Sequence, residues 1–134
     1  MSPAIIDTSI VVRYLSGDPP AGAEVAEGVL DHVEDLVLTE VVLLETAYVL
    51  SSVYGIARDV VIDQLLALVR KQNVSLRGLD KGLALEALLL CWPSGRVSIA
   101  DAMVWAAARS LGGAPVYTLD ERFPSDGIKV LRSA

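Results

Sequence analysis

Four acidic residues, Asp7, Glu45, Asp101 and Asp120, each interrupt or end a strongly apolar segment, and they recur along the chain at wide, irregular intervals. A carboxylate among apolar neighbours is costly to desolvate unless positive charge compensates it, and the chain supplies too few well-placed bases to do so. A divalent cation is the natural partner. Four oxygen-donor side chains drawn together from separate elements suit a hard ion such as Mg²⁺ or Mn²⁺. Centres of that kind commonly cleave or transfer phosphate esters.

Each acid also has a plainer reading. Asp7, followed by Thr8 and Ser9, is of a preferred helix N-cap type. Ser98-Ile99-Ala100-Asp101 fits the Ser-x-x-acid capping pattern, so Asp101 can simply close a helix start. Asp120, in Leu-Asp-Glu-Arg-Phe, can serve as a turn residue, with Glu121 beside it as decoy or contributor. Glu45 resists such an account. At helical spacing its neighbours are Val41, Val42, Tyr48 and Val49, an apolar face without a basic partner. Glu40, the rival acid, falls at a helix start, where the helix dipole favours a carboxylate with no catalytic role.

The elements that must position these acids alternate along the chain. The pattern predicts strands at Ala4 to Asp7, Leu36 to Thr39, Val74 to Leu76, Val116 to Leu119 and Ile128 to Leu131. Between them it predicts helices at Thr8 to Ser16, Ala21 to Glu34, Glu40 to Tyr54 and Arg58 to Lys71, then Leu79 to Cys91 and Ser98 to Leu111. In the fourth helix Val61, Leu65, Leu68 and Val69 share a face, and Trp92-Pro93-Ser94-Gly95 closes the fifth. Such alternation favours an α/β fold with a mostly parallel sheet covered by helices on both faces. Ligands of such sheets gather beyond the carboxyl ends of the strands, where strand order reverses. Asp7 and Asp120 fall at strand tips by sequence, with Glu45 and Asp101 reaching in from helices.

Composition excludes several other classes. A chain of 134 residues fits one domain, and 53% hydrophobic with 21% charged residues marks it as globular. The longest apolar runs, Val41 to Leu44 and Ala87 to Pro93, fall far short of the about 20 residues of a membrane span. The start of the chain lacks a basic n-region and a long apolar h-region, so cytoplasm is the expected location. One cysteine, Cys91, and one histidine, His32, rule out an internal disulfide and ordinary zinc frameworks. Cys91 reads as a small core residue, His32 as surface among Asp31, Glu34 and Asp35, and Trp92 and Trp105 as packing residues. None of the ten glycines builds a phosphate-binding loop. The net charge of −6, with scattered bases, argues against a broad basic nucleic-acid face. It is compatible with a nuclease, since bound metal inverts the local field at an acidic centre. Arg13 lies close enough to Asp7 in sequence to meet a phosphate or to remain solvated.

The ordered set Ile-Ile-Asp-Thr-Ser, Val-Val-Leu-Leu-Glu-Thr-Ala-Tyr-Val-Leu, Val-Ser-Ile-Ala-Asp-Ala-Met-Val-Trp-Ala-Ala-Ala and Val-Tyr-Thr-Leu-Asp-Glu-Arg-Phe resembles a PIN domain. More narrowly it is similar to the VapC toxins of toxin–antitoxin pairs. The likeness spans essentially the whole chain, 1–134, as one PIN-like domain with a central sheet of four to five strands. The resemblance puts the family's acids on Asp7, Glu45, Asp101 and Asp120, with Thr8 and Thr118 at hydroxyl positions beside them. Ser9 departs from the Asn more usual after Asp-Thr. The resemblance implies a Mg²⁺- or Mn²⁺-dependent endoribonuclease acting on structured RNA such as tRNA or rRNA. It further implies neutralisation by a small VapB-like antitoxin, and dimerisation. Asp7, Asp101 and Asp120 would then hold metal, with Glu45 ligating it or orienting the attacking water.

Two alternatives belong to other classes. One is a catalytically silent PIN-like binding module. The other is an aspartate-based phosphotransfer protein built on Asp7. The latter lacks its second acid two residues on, where Ser9 stands, and an acid ending the third strand, where Arg77 and Gly78 stand.

Overall fold

A computed structural model of the chain describes residues 3–78, 81–91 and 96–134. Five strands, β1 (Ala4–Ile6), β2 (Leu36–Thr39), β3 (Val74–Arg77), β4 (Val116–Tyr117) and β5 (Val130–Leu131), form one sheet in the order β3-β2-β1-β4-β5. Every pairing is parallel. Six helices connect the strands among the described residues: α1 (Thr8–Ser16), α2 (Pro20–His32), α3 (Glu40–Ser52), α4 (Arg58–Val69), α5 (Lys81–Cys91) and α6 (Ile99–Ser110). The expected α/β architecture with a mostly parallel, helix-flanked sheet is therefore present.

Burial follows strand position. The central strand β1 is buried at every residue, as is β2, while the edge strand β3 is largely exposed. A parallel strand covered on both faces must be apolar without alternation, and Ala4-Ile5-Ile6 meets that demand. Ile5 and Ile6 have no solvent exposure, and each such side chain stabilises the fold by about 2 kcal/mol.

The chain builds β2 and then β3 on one side of β1 before crossing to set β4 on the other. Strand order thus reverses between β1 and β4, which opens a crevice at their carboxyl ends. Local chemistry fixes the helices that border it. Gly17 ends α1 at φ 72°, its N–H donating to the Arg13 carbonyl, and Pro20 opens α2. Thr39 and Ser98 cap α3 and α6 through their hydroxyls.

Several boundaries differ from those predicted. Strand β4 ends at Tyr117, two residues earlier than predicted, although the Thr118 N–H still donates to the Leu131 carbonyl at 3.1 Å. The expected continuous face of α4 is broken: Val61 and Leu68 are buried, Leu65 is half-buried and Val69 is exposed. This helix packs mainly on α3 and the edge strand β3, with Gln64 also donating to the Leu15 carbonyl of α1 at 3.3 Å, so its apolar stripe is only partly covered. Trp105 packs as expected, donating its indole N–H to the Asp126 carbonyl at 2.8 Å. Cys91 is half-buried rather than core, whereas His32 is exposed as predicted. The predicted start of the fifth helix at Leu79, and its closure by Trp92-Pro93-Ser94-Gly95, lie outside the described residues.

Candidate active site

Asp7 sits directly beyond β1, where its backbone N–H donates to the Tyr117 carbonyl at 3.0 Å and so carries the β1–β4 ladder one residue further. Its φ of −89° and ψ of 165° place it at the N-cap of α1, and its carbonyl accepts from Ile10 and Val11. The carboxylate itself makes no cap bond. It turns instead toward the end of β4, where Thr118 Oγ1 donates to Oδ2 at 2.7 Å. The N-cap position is thus real, but the side chain serves another purpose.

Thr118 and Ser9 form a hydroxyl relay that holds this carboxylate. Each hydroxyl has one proton to give. Thr118 gives its own to Asp7, and the Ser9 hydroxyl, 3.1 Å from Thr118 Oγ1, also lies 3.4 Å from Asp7 Oδ2 and has its proton directed between these two acceptors. Thr118 also accepts from the Asp120 backbone N–H at 3.0 Å, and Ser9 accepts from that of Leu119 at 2.9 Å. Ser9, the departure from the usual Asn, therefore does bond the strand-four loop. The relay fixes Oδ2 and leaves Oδ1, which is buried and has no hydrogen-bond partner. Asp7 is 1% exposed.

The other acids converge on the same place. Asp7, Glu45, Asp101 and Asp120 all line one cleft of about 420 Å³, together with Thr8, Ser9 and Ser98. Glu45 reaches it from the second turn of α3, and its Oε1 accepts a short hydrogen bond from Thr8 Oγ1. Asp101 arrives in the first turn of α6. Ser98 Oγ accepts from the Asp101 N–H at 3.0 Å, so Ser98 does the capping and the Asp101 carboxyl faces the other acids. Asp120 fulfils both of its readings, since its Oδ1 accepts from the Arg122 N–H at 2.9 Å in a tight turn while the residue also lines the cleft. Glu40 and Glu121 do not line it.

Crowding and burial shift the acids as expected for like charges. Burial pushes Asp7 up to about 6, against the opposing pull of the Thr118 hydrogen bond and of the nearby Thr8 backbone N–H, with smaller upward pushes from Glu45 and Asp120. Asp101 is raised to about 8, first by burial, then by the Asp7 charge and by its hydrogen bond with Asp120, with Asp120 and Glu45 adding repulsion. At neutral pH without metal, Asp101 thus carries a proton shared with Asp120.

The donor set fits a hard divalent cation. The orphaned Asp7 Oδ1 is the strongest sign, because a buried carboxylate oxygen without a partner costs about 1–3 kcal/mol. Among the described residues no three His, Cys, Asp or Glu side chains stand close enough together, as placed, to hold a metal ion, so the acids would have to draw in around one. The four acids line an open cleft, which leaves space for an ion that keeps several of its waters and binds through few carboxylates.

Three arginines went unnoticed in the sequence. Arg96 and Arg122 line the cleft among the acids. Arg132, just past β5, donates through Nη1 to the Thr118 and Asp120 carbonyls at 3.2 and 3.0 Å and clamps the loop that carries both. The pairing of Tyr117 with Leu131 puts Arg132 opposite Thr118, a relation that strand order alone could have signalled.

This architecture of a parallel sheet with an acidic crevice at its reversal point defines a class, and the sequence agrees: the chain belongs to the PIN domain family, whose model matches residues 4–126. The structure is similar to that of a sarcin–ricin-loop-cleaving VapC toxin from Mycobacterium tuberculosis, with a TM-score of 0.74 and 22% identity over 93% of this chain and 95% of that one. It also resembles a toxin–antitoxin complex from Klebsiella pneumoniae (TM-score 0.66, 18% identity, 96% of this chain and 95% of that one). The VapBC complex of Rickettsia felis bound to promoter DNA is similar in fold too (TM-score 0.67, 13% identity, 96% and 97% covered). Among curated proteins no sequence matches the chain.

Proposed function

We propose that this protein is a divalent-metal-dependent endoribonuclease and the toxin of a toxin–antitoxin pair. The observation that carries the reading is the buried, hydroxyl-locked Asp7, whose unpartnered Oδ1 lies in a cleft ringed by Glu45, Asp101 and Asp120. Asp7, Asp101 and Asp120 would hold Mg²⁺ or Mn²⁺, with Glu45 completing the set. Bound there, the cation supplies Lewis-acid charge at the scissile phosphate and an acidified water.

The remaining chemistry belongs to the chain. Thr118 and Ser9 orient Asp7, and Thr8 orients Glu45, so that neither acid must reorganise as substrate enters. Glu45, half-buried and held at one oxygen, is placed to accept a proton from the attacking water. Arg96 and Arg122 at the cleft offer donors to phosphate oxygens, offsetting the negative field of the acids.

The similarity to toxin–antitoxin complexes supports a small VapB-like antitoxin as partner. Large apolar side chains left in solvent on α3 and α5, Leu44, Tyr48, Leu85 and Leu89, favour a protein-covered surface, in a homodimer or with the antitoxin. No described helix is long and apolar enough to cross a membrane, and a cytoplasmic location belongs to the same reading.

Incubating antitoxin-free protein and its Asp7→Asn variant with total cellular RNA, in Mg²⁺, Mn²⁺ or chelator, tests the proposal. Discrete metal-dependent RNA ends made by the wild type alone are expected. Identical RNA profiles from both folded proteins would instead favour a silent binding module.

A further inference from the structure

A second cavity, of about 490 Å³, adjoins the acidic cleft. It is lined by Ser9, Arg13, Leu119, Asp120, Glu121 and Arg122, and it shares Ser9, Asp120 and Arg122 with the cleft. The two spaces therefore lie side by side along Ser9, Asp120 and Arg122.

Arg13 is built into this cavity from both sides. Its Nη1 donates to the Ser9 carbonyl one turn earlier, at 3.0 Å. Its stem lies against α2 where Gly22 makes room: a Cβ at position 22 would stand 2.6 Å from Arg13 Cδ and 2.9 Å from Nε. Among the described residues no carboxylate lies within ion-pairing distance of Arg13. A guanidinium has five N–H donors in a planar fork, so most remain for a ligand. Arg122 shares the cavity, its backbone N–H held by Asp120 Oδ1, its Nε a long 3.9 Å from the same oxygen and its side chain 73% exposed.

The geometry points to this cavity as the seat of an RNA phosphate flanking the scissile bond, gripped by Arg13 and Arg122, with Gly22 leaving the room that Arg13 needs. The inference rests on the nuclease reading above and adds to it a register for the strand. Its place beside the acidic cleft favours RNA, because a strand whose one phosphate lies among the acids must lay the next within reach on either side. An acidic peptide is the competing occupant. Asp120 and Glu121 oppose both ligands alike, so they do not choose between them.

The test uses full-length protein made inert by Asp101→Asn, and a labelled mixed-sequence single-stranded RNA 12-mer in Mg²⁺. Phosphate contacts are independent of sequence, so the natural target is not required. Arg13→Gln keeps the stem and a donor for Ser9 but removes the charge. It is expected to weaken binding about tenfold and to lower the slope of log affinity against log salt by about 0.7. Gly22→Ala keeps every charge, favours the helix and displaces Arg13, so it should reproduce part of the loss. In the active protein, Arg13→Gln should raise KM for RNA while kcat changes little.

Unchanged affinity and salt slope in Arg13→Gln would overturn the assignment, as would absence of RNA binding by the inert parent. Loss of binding to an acidic peptide in Arg13→Gln, with RNA binding intact, would give the cavity to a protein partner. These binding readouts do not need cleavage, so failure of the wild type to cut RNA would reject the nuclease reading separately.

Discussion

Asp101→Asn should make the metal-free protein more stable, and increasingly so as pH rises. In the folded chain Asp101 holds its proton up to about 8, whereas the unfolded side chain releases it near its ordinary value of 3.8. Between those limits the folded state binds more protons than the unfolded one, so stability falls as pH increases. Each pH unit in that window costs up to about 1.4 kcal/mol per proton. From about pH 5 to about pH 8 the ceiling is about 4 kcal/mol, and coupling to the raised Asp7 reduces it to roughly 2–3 kcal/mol. Asn keeps the shape and sheds the charge. The opposing loss, of a carboxylate near the α6 N-terminus, is about 0.3–1 kcal/mol and leaves the sign unchanged. Urea unfolding in chelator at several pH values measures the difference directly. The wild type should lose stability with rising pH while the variant stays flatter. Saturating Mg²⁺ at about one hundred times its Kd should then stabilise the wild type by about 2.7 kcal/mol and the variant by much less. Parallel pH profiles, or a variant less stable than wild type at about pH 8, would refute the account and return Asp101 to a capping role.

Three further substitutions probe the supports of the site. Thr118→Val removes the donor to Asp7 Oδ2 and the acceptor for Asp120 N–H, so it should cost about 2–3 kcal/mol at about pH 8 in thermal or urea unfolding. The cost should shrink at about pH 5, where Asp7 is largely protonated and needs the donor less. Ser98→Ala deletes the α6 cap and should lower stability by about 1 kcal/mol at every pH, a midpoint shift without a pH signature. Arg132→Ala frees the Thr118–Asp120 loop, and a fall of about tenfold in RNA cleavage with the fold retained by circular dichroism is expected.

Much of this arrangement is legible in the sequence because parallel α/β folds write it in simple terms. Strand identity follows from uninterrupted apolar triplets such as Ala4-Ile5-Ile6, and helix starts follow from Thr39 and Ser98. The meeting of Asp7 and Asp120 follows from the carboxyl ends of adjacent parallel strands, whereas Glu45 and Asp101 reach the same place from α3 and α6. What the sequence hides is tertiary. Nothing local says that Ser98 caps while Asp101 faces Asp120, because the pattern Ser-x-x-Asp permits either. The passage of Arg13 over Gly22 depends on how α1 packs against α2, and neither residue announces it. Likewise Val69 belongs to an apolar stripe by periodicity yet is exposed, because α4 packs mainly against α3 and the sheet edge.

The hydroxyl relay explains why the fold tolerates its acids. Thr118 and Ser9 immobilise Asp7 Oδ2, so the carboxylate cannot rotate to bury its second oxygen against a protein donor. Oδ1 stays unpartnered, and the apo protein relieves the crowding by keeping a proton on Asp101. A cation entering among these oxygens must displace that proton, which makes metal affinity depend on pH. Near pH 7 Asp101 is largely protonated and Asp7 largely ionised, so binding of Mg²⁺ should release about one proton, falling toward zero above about pH 9. Calorimetric titration with Mg²⁺ in buffers of different ionisation enthalpy reads that number from the slope of apparent heat against buffer heat. A slope near zero at pH 7 would mean that the ion binds without engaging Asp101. The cluster would then hold its metal through Asp7, Glu45 and Asp120 alone, and Asp101→Asn would bind Mg²⁺ as tightly as the wild type.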